Sequence, residues 1–414
     1  MKQETFKQTG IGKIPKEWEV VRISQIGKVI TGTTPSTKVE EYWGGNYPFV
    51  TPTDFSTSKY VYKTERSVTK KGANKGKIIP KDSVMVTCIA SVGEVALASS
   101  ECITNQQINS IICNQNANPH YIYYALFFRK NLLKGWAGVT TTPIIKKSLF
   151  EKFPIPLPPL PEQQKIAEIL STVDSAIEKV NQAIEKTQRL KKGLMQKLLT
   201  KGIGHNEFKD TEIGRIPKEW EVVRLGEVGN IRYGLSQPPE ITPYGIPMIR
   251  ATNIKRGKIV EDGILRVNPK TIPKSKNPYL KKGDIIVVRS GAYTGDIGLV
   301  TTEWVGAIVG YDLIITPKKE KIKPKFLAYY LLSSSVQIYF STQKERSAQP
   351  HLNSKELSRT LIFLPPLPEQ QKIAEILSTV DKRLELLKKK KEKLERIKKG
   401  LMNDLLTGRR RVKV

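Results

Sequence analysis

The sequence contains the same long segments twice. Residues 6–23 read FKQTGIGKIPKEWEVVRI, and residues 208–225 read FKDTEIGRIPKEWEVVRL. Residues 158–174, PPLPEQQKIAEILSTVD, return unchanged at residues 365–381. Self-similarity over segments of this length is typical of a duplicated unit. The chain is therefore predicted to fold as two copies of one structure, each a domain followed by a helical segment.

Between the repeated segments the two copies have diverged almost beyond alignment. Residues 82–95 still align with residues 284–297, and this alignment places Thr87 opposite Arg289. A shared framework that carries different surfaces predicts one common structural role for the helices. It also predicts a different target for each domain.

The charge of the chain is strongly positive. Sixty-nine Lys and Arg residues against 39 Asp and Glu give a formal net charge of +30, and the isoelectric point is near 9.8. A field of this sign favours a polyanion, and nucleic acid is the commonest one. Two alternatives remain open, namely a basic but solvated surface and docking to an acidic protein.

The sequence gives no sign of export or membrane insertion. Met1–Thr5 lacks the apolar stretch of a signal peptide, and the longest apolar run, Tyr121–Phe128, is far shorter than the ~18 residues that span a bilayer. Cys88, Cys102 and Cys113 are widely spaced, as expected of buried thiols in a reducing compartment. We expect a cytoplasmic protein with no membrane partner.

The diverged domains are predicted to be β-rich with a few helices. Short β-branched runs bounded by turn residues predict strands at Val84–Thr87 and Ile285–Arg289. Apolar residues at three- and four-residue spacing predict helices at Tyr121–Leu133 and Phe326–Phe340. We place the first domain at residues 1–157, the first helical segment at 158–204, the second domain at 205–364 and the second helical segment at 365–414.

Each helical segment follows a proline cluster, which cannot be helix interior because proline lacks an N–H. Beyond it, apolar residues recur about every 3.5 positions, and a helix from Glu162 to Leu199 would be roughly 57 Å long. An uncapped periodic helix of this length predicts a coiled-coil partner. We expect Leu190 to lie in the apolar stripe and Thr187 and Lys391 to interrupt it.

The obvious coiled-coil partner of each helix is the other copy. The predicted fold class is α+β, with two β-rich α/β domains separated by two long antiparallel coiled-coil helices in a tandem repeat of pseudo-twofold symmetry. The alternative is that each helix packs on its own domain. The predicted helix-pair interface consists of Ile166, Val173, Ile177, Val180, Ile184, Ile373, Val380, Leu384, Leu387 and Leu394.

Patterns that carry chemistry are missing. None of the four Gly-Lys pairs is followed by Ser or Thr, so the sequence has no P-loop. Three scattered histidines and three scattered cysteines offer neither a catalytic triad nor a metal cage. We expect no catalytic residue and no metal in this chain. An enzyme with an unfamiliar site, or a coiled-coil scaffold whose domains bind protein, would be the alternatives.

The motif PPLPEQQKIAEIL at the head of a long helix, repeated after two dissimilar domains, resembles the DNA-specificity subunits of type I restriction-modification enzymes. IPKEWE before each domain, Gly32–Pro35, Gly245–Arg250 and Leu405–Gly408 add to the resemblance, which covers essentially the whole chain. It implies that each domain is a target recognition domain for one half of a two-part site in double-stranded DNA. It also implies that the helices set the spacer between the halves.

The resemblance further implies partners. Two modification subunits would dock on the helices and methylate adenine with S-adenosylmethionine, and ATP-driven restriction subunits could join them. S-adenosylmethionine, ATP and Mg would be bound by these partner subunits. The chain itself would be a non-catalytic specificity subunit with no cofactor.

Base reading requires side chains such as Arg for guanine and Asn or Gln for adenine, held on loops by a rigid scaffold. Some candidates could instead stabilise turns. The predicted DNA contacts of the second domain are Arg250, Asn253, Arg289, Ser290, Tyr293, Arg346, Gln349 and His351. Those of the first domain are Thr33, Thr34, Thr51, Asp54, Thr87, Ser91, Thr140 and Thr141, with Lys70, Lys71 and Lys75 at phosphates.

Overall fold

The computed structural model describes residues 6–55, 58–138, 141–345 and 351–413. The predicted contacts Thr140, Arg346 and Gln349 lie outside the described residues. The chain divides into two compact units: residues 1–183 with 387–414 form the first unit, and residues 184–386 form the second. Each unit thus holds one diverged domain and a part of each long helical segment, and the finer domain limits given above stay a prediction.

In the first unit, short strands alternate with short helices. Its strands are β1 (Phe6–Thr9), β2 (Gly12–Pro15), β3 (Glu19–Arg22), β4 (Gly27–Thr31), β5 (Trp43–Val50), β6 (Tyr60–Val61), β7 (Arg66–Val68), β8 (Ile78–Ile79), β9 (Val84–Thr87), β10 (Val95–Ala98), β11 (Cys102–Thr104), β12 (Ile108–Cys113) and β13 (Pro154–Leu157). The helices that begin in it are α1 (Ile23–Ile26), α2 (Lys70–Lys75), α3 (Pro119–Phe128), α4 (Lys130–Trp136), α5 (Lys147–Phe150) and α6 (Leu160–Lys201), with 3₁₀ turns at Glu40–Tyr42 and Pro52–Asp54.

Two sheets form the core of the first unit. The larger has the strand order β4-β12-β9-β10-β6, and the smaller has the order β7-β5-β11-β8. Successive side chains of a strand face opposite sides of its sheet. Val84 and Val86 of β9 therefore join the apolar cluster around α3, whereas Met85 joins a smaller cluster with Val50. Because both faces are covered, β9 is buried throughout, and the predicted strand Val84–Thr87 is confirmed.

The second unit repeats this plan. Its strands are β14 (Phe208–Thr211), β15 (Gly214–Pro217), β16 (Glu221–Arg224), β17 (Gly229–Tyr233), β18 (Ile241–Ile249), β19 (Ile254–Lys255), β20 (Lys258–Ile259), β21 (Leu265–Val267), β22 (Ile285–Val287), β23 (Ile297–Leu299), β24 (Ile308–Val309), β25 (Leu313–Pro317) and β26 (Leu361–Leu364). The helices that begin in it are α7 (Leu225–Val228), α8 (Pro324–Leu331), α9 (Ser334–Glu345), α10 (Ser354–Arg359) and α11 (Leu367–Leu405), with 3₁₀ turns at Ala251–Asn253, Pro269–Thr271 and Thr302–Trp304.

The core of the second unit also contains two main sheets, with the orders β17-β25-β22-β23 and β21-β18-β24. Ile285 and Val287 face the apolar cluster around α8. Ile286 faces the opposite side of the sheet and joins a second apolar cluster, which includes Ile249. Strand β22 ends at Val287, two residues before the predicted Arg289. The reason is that the backbone N–H of Arg289 donates to the side chain of Asp312 at 3.1 Å instead of continuing a strand ladder.

Two predicted helices are each divided in two. The predicted helix Tyr121–Leu133 ends as α3 at Phe128, because Arg129 has φ −99° and ψ 15°, outside the helical range, and α4 starts afresh at Lys130. The predicted helix Phe326–Phe340 is divided at Ser333, whose N–H donates to Tyr330 O at 2.9 Å in a tighter turn. Apolar spacing alone did not reveal either break.

The two long helices, α6 of 42 residues and α11 of 39, run antiparallel within each unit. In the first unit, Ile166 of α6 lies in the same cluster as Leu405 of α11, and Asp174 pairs with Lys398 at 2.7 Å. In the second unit, Lys191 of α6 pairs with Asp381 of α11 at 2.6 Å. The predicted fold class, β-rich domains with two long helices, is confirmed. Within the described part of the chain, no helix is long and apolar enough to cross a membrane.

Each aspartate of these ion pairs also accepts a hydrogen bond from its own domain. Tyr124 donates to Asp174 at 2.6 Å, and Tyr329 donates to Asp381 at 2.8 Å. Each helix therefore packs on its own domain as well as on the other long helix, so the two alternatives drawn from the sequence both occur.

The repeated motifs have a structural role. The indole of Trp18, from IPKEWE, donates to Glu162 of PEQQ at 3.0 Å, and Trp220 donates to Glu369 at 2.9 Å. The carboxylate of Glu162 also binds Arg411, whereas that of Glu369 binds His205. In each unit the indole N–H and the carboxylate thus hydrogen-bond to each other, and neither is left without a partner.

The apolar stripe of α6 passes through Ile184, Thr187, Lys191 and Leu194, so the step after Thr187 is four residues and not three. Thr187 is buried, and Leu190 is 52% exposed, so the predicted place of Leu190 in the stripe is wrong. Of the predicted helix-pair residues, Ile166, Val180 and Ile373 are buried, and Val173, Ile177, Ile184, Val380, Leu384, Leu387 and Leu394 are half-buried.

Candidate nucleic-acid interface

The backbone hydrogen bonds of the two units show which loop residues are equivalent. Thr87 N donates to Glu94 O and Val288 N donates to Asp296 O, at 3.0 and 2.9 Å. Thr87 is therefore the counterpart of Val288, and the residue equivalent to Arg289 is Cys88. The sequence alignment that paired Thr87 with Arg289 is wrong by one position.

Thr87 is the last residue of β9 in the first unit, and Ser91 lies in the loop that follows. The Thr87 side chain is buried, and its hydroxyl donates to Ser91 O and accepts from Glu94 N. Ser91 is exposed at the surface of the same loop. Thr87 consequently holds the loop in shape, and Ser91 is the side chain that a ligand could reach.

The equivalent loop of the second unit carries a cluster of cationic and aromatic side chains. The guanidinium carbon of Arg289 lies 4.9 Å from the ring centroid of Tyr233 and 4.3 Å from that of Tyr311. The Nη2 of Arg289 donates to Nε2 of His351. Tyr233 is 39% exposed and Tyr311 is 49% exposed, so the rings hold the cation and still face solvent.

Arg289, Tyr233 and Tyr311 border an open cavity of about 260 Å³, which Gly234, Leu235, Ser236 and Lys276 also line. Aromatic faces that hold an arginine restrict its motion, and the Nε of Arg289 is buried without a hydrogen-bond partner among the described residues. A guanidinium fits the O6 and N7 acceptors of guanine in the major groove. Lys276 adds positive charge at the rim, which suits a phosphate.

A buried carboxylate lies beneath this cluster. Asp312 is 3% exposed and accepts a hydrogen bond from Arg289 N at 3.1 Å. Burial raises the pKa of Asp312 to about 6, although the N–H and the charge of Arg289 act in the opposite direction. The carboxylate is thus ionised at neutral pH, at a cost in stability, beneath an arginine that it helps to position.

We expect Asp312→Asn to raise the free energy of unfolding by about 1 kcal/mol at pH 7, because the amide keeps the acceptor oxygen without the buried charge. The folded pKa lies above the unfolded one. The native protein therefore takes up a proton as pH falls from roughly 6 to 4, and its stability gains from this group over that window. Urea denaturation at pH 7 and pH 4.5 should show this gain in the parent chain and its loss in the variant. Exposed Glu303→Gln is the control, and an unchanged pH dependence in Asp312→Asn would contradict the assignment.

The predicted contact Asn253 lies in the 3₁₀ turn Ala251–Asn253, and Arg250 is the N-cap residue directly before it. Asn253 is buried, accepts from Arg250 N at 3.1 Å and donates to Asp262 O at 2.9 Å. Asp54 has the same role in the first unit, where it accepts from Thr51 N and from the Thr51 hydroxyl at 2.7 Å. The side chains of Asp54 and Asn253 are thus already hydrogen-bonded within their own turns. Arg250 also has a partner, because its guanidinium donates to Gly263 O at 2.8 Å.

The remaining predicted contacts lie at the surface of their units. Thr33 and Thr34 are half-buried, and the Thr34 hydroxyl donates to Gln106 at 2.7 Å. Ser290 bridges to His351, and Tyr293 is 50% exposed. Thr141 is exposed.

The lysines of α2 are all exposed. Lys71 forms an ion pair with Glu41 at 2.9 Å, which raises the pKa of this lysine through their hydrogen bond. A pair this exposed contributes little to stability, so Lys71 can exchange Glu41 for another anion. Lys70 and Lys75 form no ion pair with any residue that the structure describes.

Sequence reasoning missed the aromatic partners of the arginines. Tyr233 is the last residue of β17, and Tyr311 lies just before the neighbouring strand β25. In the first unit, the guanidinium of Arg66 lies 3.7 Å from the ring centroid of Trp43. The only sign of these partners in the sequence is that the last residue of β17 is Tyr233, whereas its counterpart at the end of β4 is Thr31. Among the described residues, no three His, Cys, Asp or Glu side chains could together hold a metal ion.

Comparison with known proteins agrees with the duplicated plan. The family model described as type I restriction modification DNA specificity domain matches residues 15–187 and again residues 217–396. The type I restriction enzyme MjaVIII specificity subunit of Methanocaldococcus jannaschii is 34% identical over 420 residues, which cover 100% of this chain and 97% of that protein. The MjaIX specificity subunit of the same organism is 30% identical, over 98% of this chain and 96% of its own length.

Solved structures show the same fold. The S subunit of a type I restriction-modification system from M. genitalium superposes with a TM-score of 0.63 at 18% identity, over 94% of this chain and 96% of that one. A second structure, from a study of complex assembly and conformational transition of the type I R-M system, has a TM-score of 0.54 at 19% identity, over 95% of this chain and 99% of that one.

Proposed function

Since this chain belongs to the type I restriction modification DNA specificity family, we propose that it binds double-stranded DNA at a two-part sequence, with each diverged domain reading one half. Its relatives are specificity subunits, and the catalytic work of such systems is done by other subunits. The chain accordingly serves as the non-catalytic reader of its complex, acts in the cytoplasm, and leaves S-adenosylmethionine, ATP and Mg to its partners.

One observation carries this proposal. Two units with the same strand plan carry different side chains at the same loop position, Arg289 in the second and Cys88 in the first. Arg289 is half-exposed between aromatic rings, whereas Cys88 is buried and accepts a hydrogen bond from Asn109 at 3.2 Å. Equal scaffolds with unequal loops favour two readers of different base sequences.

Contacts to phosphate would add affinity without sequence information. Lys70, Lys71 and Lys75 of α2 in the first unit, and Lys276 in the second, are exposed and could neutralise backbone charge. In this proposal the base contacts of the first unit come from Ser91, Thr33, Thr34 and Thr141, and those of the second from Arg289, Ser290, Tyr293 and His351. Thr51, Asp54, Thr87, Arg250 and Asn253 shape the loops that present them.

The long helices would set the spacer and dock two modification subunits. Leu190 of α6 and Ile397 of α11 occupy equivalent positions and are 52% and 42% exposed. Gly193 and Gly400 follow these two residues by about one helical turn. A Cβ added at either glycine would meet no atom within 4 Å. Glycine costs about 1 kcal/mol in a helix interior, so its presence twice beside an exposed apolar side chain supports close approach by two copies of one partner. Restriction subunits would join through these modification subunits.

The proposal is tested by mapping adenine methylation across the genome of the source organism, with the gene intact and deleted. Loss of one gapped, asymmetric methylated sequence on deletion is the expected result. It would give both half-sites and the spacer together. An unchanged map in cells that express the modification subunits would contradict the proposal. Methyl transfer by the purified chain alone would point instead to an enzyme, and DNA binding that is blind to sequence would point to a scaffold.

A further inference from the structure

A second cavity of the second unit lies away from the Arg289 cluster. It has a volume of about 500 Å³, and its floor is formed by the buried side chains of Tyr330, Val336 and Phe363. Thr360 and the exposed ring of Tyr339 form part of its wall. A volume of this size accommodates at least one aromatic side chain together with its neighbours.

The first unit shows what fills the same place. Ile23 N donates to Phe153 O and Leu225 N donates to Thr360 O, so Phe153 is the counterpart of Thr360. Phe153 is fully buried, and the ring of Trp136 packs against it with a centroid separation of 5.1 Å. The first unit therefore closes this part of its core with two aromatic rings, whereas the threonine of the second unit leaves the space open.

The rim of the open cavity is cationic. Arg215 and Arg359 line it and are exposed, and the side chain of neither forms an ion pair or a hydrogen bond with any residue that the structure describes. The guanidinium of Arg215 contacts the ring of Phe208, with 5.8 Å to the ring centroid. The cavity lining contains no carboxylate. The occupant that complements this surface is an aromatic ring with negative charge beside it.

Two of the hydroxyls that line the cavity are already used within the chain. The hydroxyl of Thr360 donates to Glu356 O at 3.3 Å, and that of Thr200 donates to Gln196 O at 2.6 Å. A site for a small molecule normally offers inward polar groups that orient the ligand. A side chain anchored in its own protein requires none, so a protein segment fits this cavity better than a free metabolite.

We propose that the cavity bounded by Tyr339, Thr360 and Arg359 docks an acidic segment of a partner protein and accepts one aromatic side chain of that segment. The inserted ring would provide in the second unit the packing that Trp136 provides in the first. Because the first unit is already filled, each chain would offer one such site. This inference does not depend on the proposed DNA-binding function.

The test uses the full-length chain and the acetylated, amidated peptide Glu-Asp-Trp-Glu-Asp, with the same peptide carrying alanine in place of tryptophan as the charge-matched probe. Calorimetric titration at fixed ionic strength should show saturable one-to-one binding of the tryptophan peptide and at least about tenfold weaker binding of the alanine peptide. Thr360→Phe, which introduces the residue of the first unit, should abolish binding of the tryptophan peptide without lowering the melting temperature.

A pair of charge reversals controls for general attraction to a basic chain. Arg359→Glu should weaken binding about tenfold, whereas Lys152→Glu, at the equivalent position of the first unit, should leave it unchanged. This pair decides the question even if Thr360→Phe does not fold. Equal weakening by both reversals, equal binding of both peptides, or no binding at all would overturn the proposal. So would a dimer of the chain, measured by sedimentation, that Thr360→Phe abolishes.

Discussion

Replacing Arg289 by alanine is expected to reduce base discrimination at one half of the DNA target about ten- to a hundredfold and to leave the other half unchanged. This range corresponds to the roughly 1–3 kcal/mol of a bidentate arginine–guanine contact. The guanidinium is preset by Tyr233, Tyr311 and His351, so little freedom is lost when it binds. The measurement is equilibrium binding by the complex of this chain and its modification subunits to DNA in which each half-site is mutated in turn.

Two variants sharpen this experiment. Arg289→Lys keeps the positive charge but loses the planar fork, so it should lose most of the same discrimination while retaining more of the overall affinity. Cys88→Ala alters the equivalent residue of the first unit, whose side chain is buried, and should change discrimination at neither half. Equal loss at both half-sites in Arg289→Ala would mean that the two domains do not read separately.

The position of Arg289 also shows where sequence reasoning fails. Asp82 and Asp284 look equivalent in an alignment, but Asp82 adopts φ 63°, and its conformational counterpart is Gly283 at φ 91°. A left-handed turn residue is commonly glycine, and aspartate tolerates the conformation. Matching the two aspartates therefore shifted the following segment by one position and paired Thr87, the buried last residue of β9, with a half-exposed arginine.

The cluster around Arg289 could not be predicted from any local pattern. Tyr233 and Tyr311 come from distant parts of the chain and meet because β17 and β25 are neighbours in one sheet. His351 joins them through its bridge to Ser290, the residue after Arg289. By contrast, the duplication, the buried strand β9 and the two long helices follow from periodicity and repetition, which are local properties. The sequence therefore predicts the framework well, and it predicts individual contact residues poorly because these depend on sheet order.

The helices give an intermediate case. Their existence and antiparallel packing within each unit follow from an apolar repeat of about 3.5 residues, but the repeat leaves open whether position 190 or 191 continues the stripe. An ion pair settles the choice, since Lys191 reaches Asp381 at 2.6 Å while Leu190 faces solvent. A hydrophobicity pattern assigns the stripe position to the leucine, because it contains no information about an ion pair with a residue of another helix.

Inserting one heptad near Thr187 and another near Lys391 is expected to replace the original target by one with the same half-sites and a longer spacer. Seven residues keep the alternation of three- and four-residue steps, so each stripe retains its face. They add about 10.5 Å to each helix, which equals roughly three base pairs of DNA. Affinity for the original spacing should fall at least about a hundredfold, as expected when one of the two half-sites is lost.

The contacts inside each unit explain why the paired insertion should preserve folding. Asp174 and Lys398 both lie on one side of the insertion points, and Lys191 and Asp381 both lie on the other, so neither ion pair is disrupted. An insertion in α6 alone would lengthen α6 but not α11, so the apolar residues of the two helices would no longer align. This variant should have a lower melting temperature. Binding to a panel of DNAs with fixed half-sites and graded spacers distinguishes the outcomes. An unchanged optimal spacer, or altered half-site sequences, would show that the helices do not set the distance between the two recognised sequences.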